Sequence, residues 1–302
     1  MLKKLSLACL TLLLVLGEAK TSLSETVIEK VARTGVLTAG SRLNLIPYSY
    51  FNDKEELDGY SLAVLNLIRE DLEKQLGKPI KLEIIEAQDI SERIPKLMSG
   101  DIDISCDTVF TWERDKFVDF SLSYGVSGVR LLVPKNSTLG TPESLEGKRV
   151  AIIPHTVIGD TIKLVQPKAT LIPVNNFTEG IEALKAGKVD AIAGDSIILD
   201  GERQRLKSDN YQLVPEDPYA RYGIACMVPE GNSTFLNLVN YSIAKLMQGY
   251  LIGDPKYQEI INRWIGPEGV VTIVKPEAIK DFFEYTIITR EQVPLSPETN
   301  QK

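Results

Sequence analysis

Four side chains with chemistry to offer fall at the ends of short apolar strands. Arg42 follows VLTAG, Arg114 lies in the turn after DIDISC within GDIDISCDTVFTWERDKFVDFS (residues 100–121), Thr156 follows VAIIP, and Asp195 follows VDAIAG. A fifth, Arg93, comes early in the helix expected after IKLEIIEA. A guanidinium presents a rigid donor fork that matches a carboxylate, an aspartate suits an ammonium, and hydroxyls complete the hydrogen bonds. Together these groups complement an α-amino acid, and the arginines left over after one carboxylate is held point to an acidic side chain. Singly, each is an ordinary loop or capping residue, because strand ends are loops and loops are polar. Two such residues in each half of the chain argue for a shared site.

The groups that would support a reaction are missing. The chain has one histidine, His155, which all but excludes histidine triads and histidine-rich metal sites. It lies between a proline and a threonine at a strand end and is read as structural. No Gly-x-Ser-x-Gly elbow, Walker loop or Gly-x-Gly-x-x-Gly is present. Asp101 and Asp103 alternate along DIDIS and are read as one solvated face. The expectation is recognition without catalysis, cofactor or metal.

Helix-strand units carry these residues. SLAVLNLIREDLEKQL places Leu62, Leu65, Ile68, Leu72 and Leu76 on one stripe and is closed by Gly77. IKLEIIEA reads as a strand, ISERIPKLMSG as a helix stopped by Gly100, and DIDISC as another strand. In the second half LEGKRVAIIPHT, ATLIPV, FTEGIEALKAG and VDAIAGDS repeat that grammar, and LMSGDIDI from Leu97 is echoed by LKAGKVDAI from Leu184. This order favours two α/β lobes over one continuous sheet. In open parallel sheets ligands bind beyond the carboxyl ends of the strands, where the polar residues fall.

The start, MLKKLSLACLTLLLVLGEAK, combines Lys3 and Lys4 with an apolar run from Leu5 to Leu16 and a small-x-small exit at Gly17–Ala19, the pattern of an export signal cleaved near Ala19. That run is shorter than the roughly 20 apolar residues a spanning helix needs. Loss of residues 1–19 removes Lys3, Lys4 and Glu18 and leaves the chain one unit more negative than its formal −7. Nucleic acid and anionic membrane are poor partners for such a surface. Cys106 and Cys226 remain, in a compartment that permits disulfides; they either pair or stand as two separate buried thiols.

In IPYSYFNDKEELDGYSLAVLNLI, LMSGDIDISCDTVFTWERDKFVDFSLSY, LEGKRVAI, ALKAGKVDAI and YGIACMV, taken in this order from about Thr34 to Trp264, the chain resembles the extracytoplasmic amino-acid-binding proteins of polar amino acid ABC transporters. GSRLNLIPYSY, SERIPKL, GDSIILDGER and the CMV of the returning strand are most similar to the glutamate/aspartate binders. The resemblance implies a type II periplasmic fold, with two lobes of mostly parallel sheet flanked by helices and joined by a two-strand hinge. Residues 20–130 and 221–268 would form lobe 1 and 131–220 lobe 2, whereas residues 269–302 lie outside the resemblance and read, from their own sequence, as one helix and a disordered tail. The resemblance also implies a monomer in the periplasm that closes on an amino acid or related carboxylate and delivers it to a permease. Arg114 would hold the α-carboxylate with Thr156, Asp195 the ammonium, and Arg42 and Arg93 a side-chain carboxylate. Tyr48 would pack on the ligand, and Thr108 would join the set. The resemblance further puts Cys106 and Cys226 on strands of one lobe, close enough to bond.

The chain departs from those binders at several positions. Asp107 and Val109 stand where small hydroxyl residues are usual, Phe177 aligns with a histidine, and His155 replaces the glycine before Thr156. Asp107 either repels an anionic ligand or pairs with one of the arginines. Two other roles on this fold are a binding or sensing protein without a permease and a cyclohexadienyl-dehydratase-like enzyme using Glu113 or Asp107 as its acid.

Overall fold

The computed structural model describes residues 25–289. The expected export signal and the tail beyond Thr289 lie outside the described residues. In chain order the elements of the first part are α1 (Val27–Thr34), β1 (Val36–Ser41), β2 (Asn44–Leu45), β3 (Ser49–Phe51), β4 (Leu57–Asp58), α2 (Tyr60–Leu76), β5 (Lys81–Glu86), α3 (Ile90–Ser99), β6 (Ser105–Val109), β7 (Val118–Phe120) and β8 (Gly125–Pro134). They are followed by β9 (Arg149–Ile152), α4 (Val157–Val165), β10 (Thr170–Pro173), α5 (Phe177–Lys185), β11 (Ala191–Asp195), α6 (Ser196–Arg205) and β12 (Tyr211–Val214). The last are β13 (Arg221–Pro229), α7 (Ser233–Ile252), α8 (Pro255–Trp264) and α9 (Pro276–Ile288).

Local chemistry sets the helix ends. Thr26 and Glu29 form a capping box that starts α1, and Gly35 ends it in the left-handed conformation at φ 72°. The stripe on α2 buries Leu62, Leu65, Ile68 and Leu72, and Gly77 closes the helix at φ 64°.

One strand differs from its sequence reading. DIDISC begins as a bend, and the strand itself, β6, starts at Ser105 and runs on through Asp107 and Thr108. Asp103 is the cause. Its carboxylate, 1% exposed, accepts from Lys30 Nζ at 2.8 Å and from the Thr38 amide at 2.9 Å, so it ties α1 and β1 together and faces no solvent.

In the first lobe β5 and β1 pair in parallel, a bridge from Ala39 to Ile104 carries the sheet to β6, and β6 pairs antiparallel with β13. In the second, β9 lies between β10 and β11. Strand β8 belongs to both. Gly125–Gly128 pair with β13, whereas Val129–Leu132 pair with β11 and Leu131–Pro134 with β12. The change of partner falls beside Gly128, where an added Cβ would lie 2.4 Å from the Ala220 carbonyl oxygen. Only glycine lets the two segments approach so closely. Past the change, Val129, Leu131 and Val133 enter one apolar cluster and Leu132 another, so this part of the sheet is covered on both faces.

The segment after Gly266 is built into the first lobe. Ile279, Phe283 and Ile287 recur every four residues on α9 and are buried, with Phe283 edge-on to Tyr250 of α7 at 5.5 Å between ring centroids. Just before α9, the Thr272 amide donates to the fully buried Asp200 of α6 at 2.9 Å, so this segment also grips a helix that follows β11.

Cys106 and Cys226 form a disulfide across β6 and β13, 120 residues apart in sequence. A link closing a loop on the order of 120 residues is worth about 4–5 kcal/mol in the chain-entropy account. Protein lacking residues 1–19 should show no reactive thiol when denatured unreduced and two after reduction, and its denaturant midpoint should fall on reduction. Two reactive thiols without reductant would refute the link.

Candidate functional site

The floor of the site is β6 and the turn after it. Asp107 adopts a left-handed backbone at φ 58°, a conformation aspartate tolerates better than most residues, and its amide donates to the Tyr124 hydroxyl at 2.7 Å. Its carboxylate meets Arg93, the fourth residue of α3, whose start is capped by Asp89. Arg93 is 1% exposed, and its Nη1 donates to Asp107 Oδ1 at 2.9 Å, to the Cys106 carbonyl at 3.0 Å and to Ser105 Oγ at 3.4 Å. Arg42, just past β1, brings Nε to 3.8 Å from the same Oδ1. Of the two open readings of Asp107, the structure favours pairing with an arginine.

Arg114 has a different setting. Its Nη1 donates to the Val109 carbonyl at 2.8 Å, and it has no carboxylate partner among the described residues. Burial, then the charges of Arg93 and Arg42, hold its pKa below the usual guanidinium range, with Glu113 opposing. Burial also lowers Arg42, against the carboxylates of Asp107 and Asp195. Three guanidiniums thus share one field that the single carboxylate of Asp107 offsets in part, which leaves a net positive setting that attracts an anion.

Asp195 closes β11 and caps α6. Oδ1 accepts from the Ile197 and Ile198 amides at 2.9 and 3.1 Å and from Ser127 Oγ at 2.6 Å, and Oδ2 accepts from the Tyr222 hydroxyl at 2.9 Å. Ser127 and Tyr222 face each other in register on β8 and β13. Burial raises the Asp195 pKa, and these hydrogen bonds offset part of the rise. Tyr48, 2% exposed between β2 and β3, has its phenol pKa raised by burial and next by the Asp195 charge.

The structure therefore joins Arg42 and Arg93 through Asp107, and Arg114 and Asp195 both act electrostatically on this group. Thr108 is buried on β6 opposite Ala225 and carries no side-chain hydrogen bond among the described residues. Thr156 precedes α4, but its hydroxyl donates back to the Ile153 carbonyl at 2.9 Å, and no side chain caps the first amides of that helix. Sequence reading missed Tyr124, Ser127 and Tyr222. A polar residue within the apolar runs SGVRLLV and YGIACMV was the signal available for the last two.

The connection through β8 and β13, with arginines beside one sheet and a capping aspartate beside the other, defines a two-lobed solute-binding class. Residues 37–267 match the model of the bacterial extracellular solute-binding proteins, family 3, and the chain belongs to that family. Among curated relatives, the glutamine-binding protein GlnH of an ABC transporter from Bacillus subtilis is 34% identical over 70% of this chain and 73% of its own. The glutamate/aspartate import solute-binding protein of Salmonella typhimurium is 30% identical over 72% of this chain and 74% of its own. Among solved structures, an ancestral arginine-binding protein bound to arginine matches with a TM-score of 0.65 at 26% identity, covering 77% of this chain and 99% of that one. The fold is accordingly the two-lobed type II periplasmic one.

His155 stands at φ 60° in the exposed turn before α4. The left-handed region explains why glycine suits that position. It costs a residue with a Cβ about 1–2 kcal/mol, partly offset by the freedom glycine adds to the unfolded chain. His155→Gly should therefore raise the unfolding free energy by about 0.5–1 kcal/mol in a denaturant titration; a loss of stability would show that the imidazole holds the turn.

Proposed function

We propose that the protein captures a free amino acid with an acidic or polar side chain between its two lobes, outside the cytoplasm, and delivers it to the permease of an ABC importer. The observation that carries this reading is the pairing of Arg114, with no carboxylate partner among the described residues, with Asp195 on the far side of the β8–β13 connection. In the proposed complex the Arg114 fork holds the α-carboxylate and the free lone pair of Asp195 Oδ2 takes the ammonium. Thr156 and the uncapped amides of α4 add donors to the carboxylate, Tyr48 packs on the ligand, and Thr108 and Arg93 line the first-lobe wall. Ligand contacts made on both lobes favour the closed form.

Residues 20–130 and 221–268 are taken as one lobe and 131–220 as the other, in a monomer that acts in the periplasm after cleavage near Ala19. Among the described residues no helix is long and apolar enough to cross a membrane. Binding without catalysis is favoured by the carboxylates an enzyme would use. Glu113 is held below the usual carboxylate range by its own backbone amide and the Thr111 hydroxyl, which disfavours it as an acid, and the Asp107 carboxylate is occupied by Arg93.

Calorimetry against the common amino acids tests the reading. Arg114→Ala should lose binding by about 2–5 kcal/mol, the cost of stripping one partner from a desolvated charge pair, and Arg114→Lys should recover only part of it, because an ammonium lacks the fork. Unchanged affinity in Arg114→Ala would move the ligand elsewhere.

The raised Asp195 pKa adds a pH signature. Only the ionised carboxylate attracts an ammonium, so affinity should fall on acidification, starting at a higher pH than an ordinary aspartate would give. In Asp195→Asn the affinity should be weak and this step absent. A wild-type affinity that stays flat down to the ordinary aspartate range would remove Asp195 from the contact.

A further inference from the structure

Six buried side-chain polar atoms lack a hydrogen-bond partner among the described residues, and three of them belong to one group: Arg42 Nε, Arg93 Nε and Asp107 Oδ2. The three side chains are joined through Asp107 Oδ1, 2.9 Å from Arg93 Nη1 and 3.8 Å from Arg42 Nε. Asp107 is 7% exposed, and the remaining oxygen of its carboxylate is buried. Leaving a buried donor or acceptor unpaired is costly, and more so for a charged group.

We infer that Asp107 sets the ligand's side chain, and that the end of the cleft formed by Arg42, Arg93 and Asp107 is built for a carboxamide in preference to a carboxylate. The inference rests on reading the cleft as an amino-acid site. Two orphan donors need an acceptor and one orphan acceptor needs a donor. A carboxamide offers both, its oxygen to the guanidinium of Arg42 and its NH2 to Asp107 Oδ2. A side-chain carboxylate offers only acceptors and would set its charge against the unpaired Oδ2.

The charge balance agrees. Asp107 already neutralises Arg93, so the arginines expected to hold a second carboxylate are reduced to Arg42 alone. A site whose buried groups need a donor rejects the analogue that lacks one, and the rejection is stronger when like charges face each other. Asp107 is the element that selects against the acidic amino acids.

The test is calorimetry at neutral pH with L-glutamine, L-asparagine, L-glutamate and L-aspartate. Wild-type protein is compared with Asp107→Asn, which keeps the shape and can donate to a carboxylate, and with Asp107→Gly, which accepts the left-handed backbone without strain. Wild type should prefer one of the amides over its acid by roughly tenfold or more, and both variants should shift the ratio toward the acid by at least roughly tenfold, the change that 1.4 kcal/mol produces. A wild type that prefers an acid and depends on Arg114 overturns this inference and leaves the amino-acid site standing. An unchanged ratio in both folded variants also overturns it. No binding of any amino acid by folded wild type overturns both.

Discussion

The buried pair of Arg93 and Asp107 is the constraint around which the rest of the cleft is arranged. A guanidinium taken out of water is tolerable only where a carboxylate and further acceptors surround it, so the backbone that supplies them has to be fixed before a ligand arrives. The Cys106–Cys226 disulfide fixes β6 against β13 one residue before Asp107. Ser105 Oγ bonds the Gly40 carbonyl and fixes β6 against β1, two residues from Arg42. The Tyr124 hydroxyl, held by Ser61 of α2 at 2.7 Å, takes the Asp107 amide. Asp103 binds the start of the same segment to α1 and β1. With Asp107 taken up by Arg93, Arg114 keeps a guanidinium that has no carboxylate partner among the described residues.

Across the connection, Asp195 plays the corresponding part. One carboxylate caps α6 and receives a hydroxyl from each of the two crossing strands. A change in the angle between the lobes has to be taken up where these groups meet, and Gly128 and Gly223 leave no room there for a side chain: a Cβ on Gly223 would lie 2.0 Å from Ser123 Oγ. The Thr272–Asp200 contact ties the C-terminal segment to α6 as well, so the described part of the extension bears on the same joint.

Much of this was legible in the sequence. The α2 stripe, the glycines that close helices and the polar residues at strand ends follow from local periodicity and φ preferences, which neighbouring residues alone determine. The helix at residues 276–288 is likewise periodic, but that it packs on α7 is a tertiary fact. Asp103 could not be told from a solvated strand residue, because its partners Lys30 and Thr38 lie more than 60 positions away. The same holds for Asp195 with Ser127, 68 residues upstream. Asp107 stood out only as an unexpected carboxylate; whether it repels a ligand or neutralises Arg93 depends on the rotamer and depth of a buried arginine, which residue types do not encode.

A crystal structure of the protein with L-glutamine bound tests most directly the claim that one ligand bridges the two lobes in a set orientation. The α-carboxylate should lie on the Arg114 fork, the ammonium within hydrogen-bond distance of Asp195 Oδ2, and the carboxamide between Arg42 and Asp107. A ligand outside the cleft, or one whose α-carboxylate lies at Asp107 with its side chain toward Arg114, would contradict it.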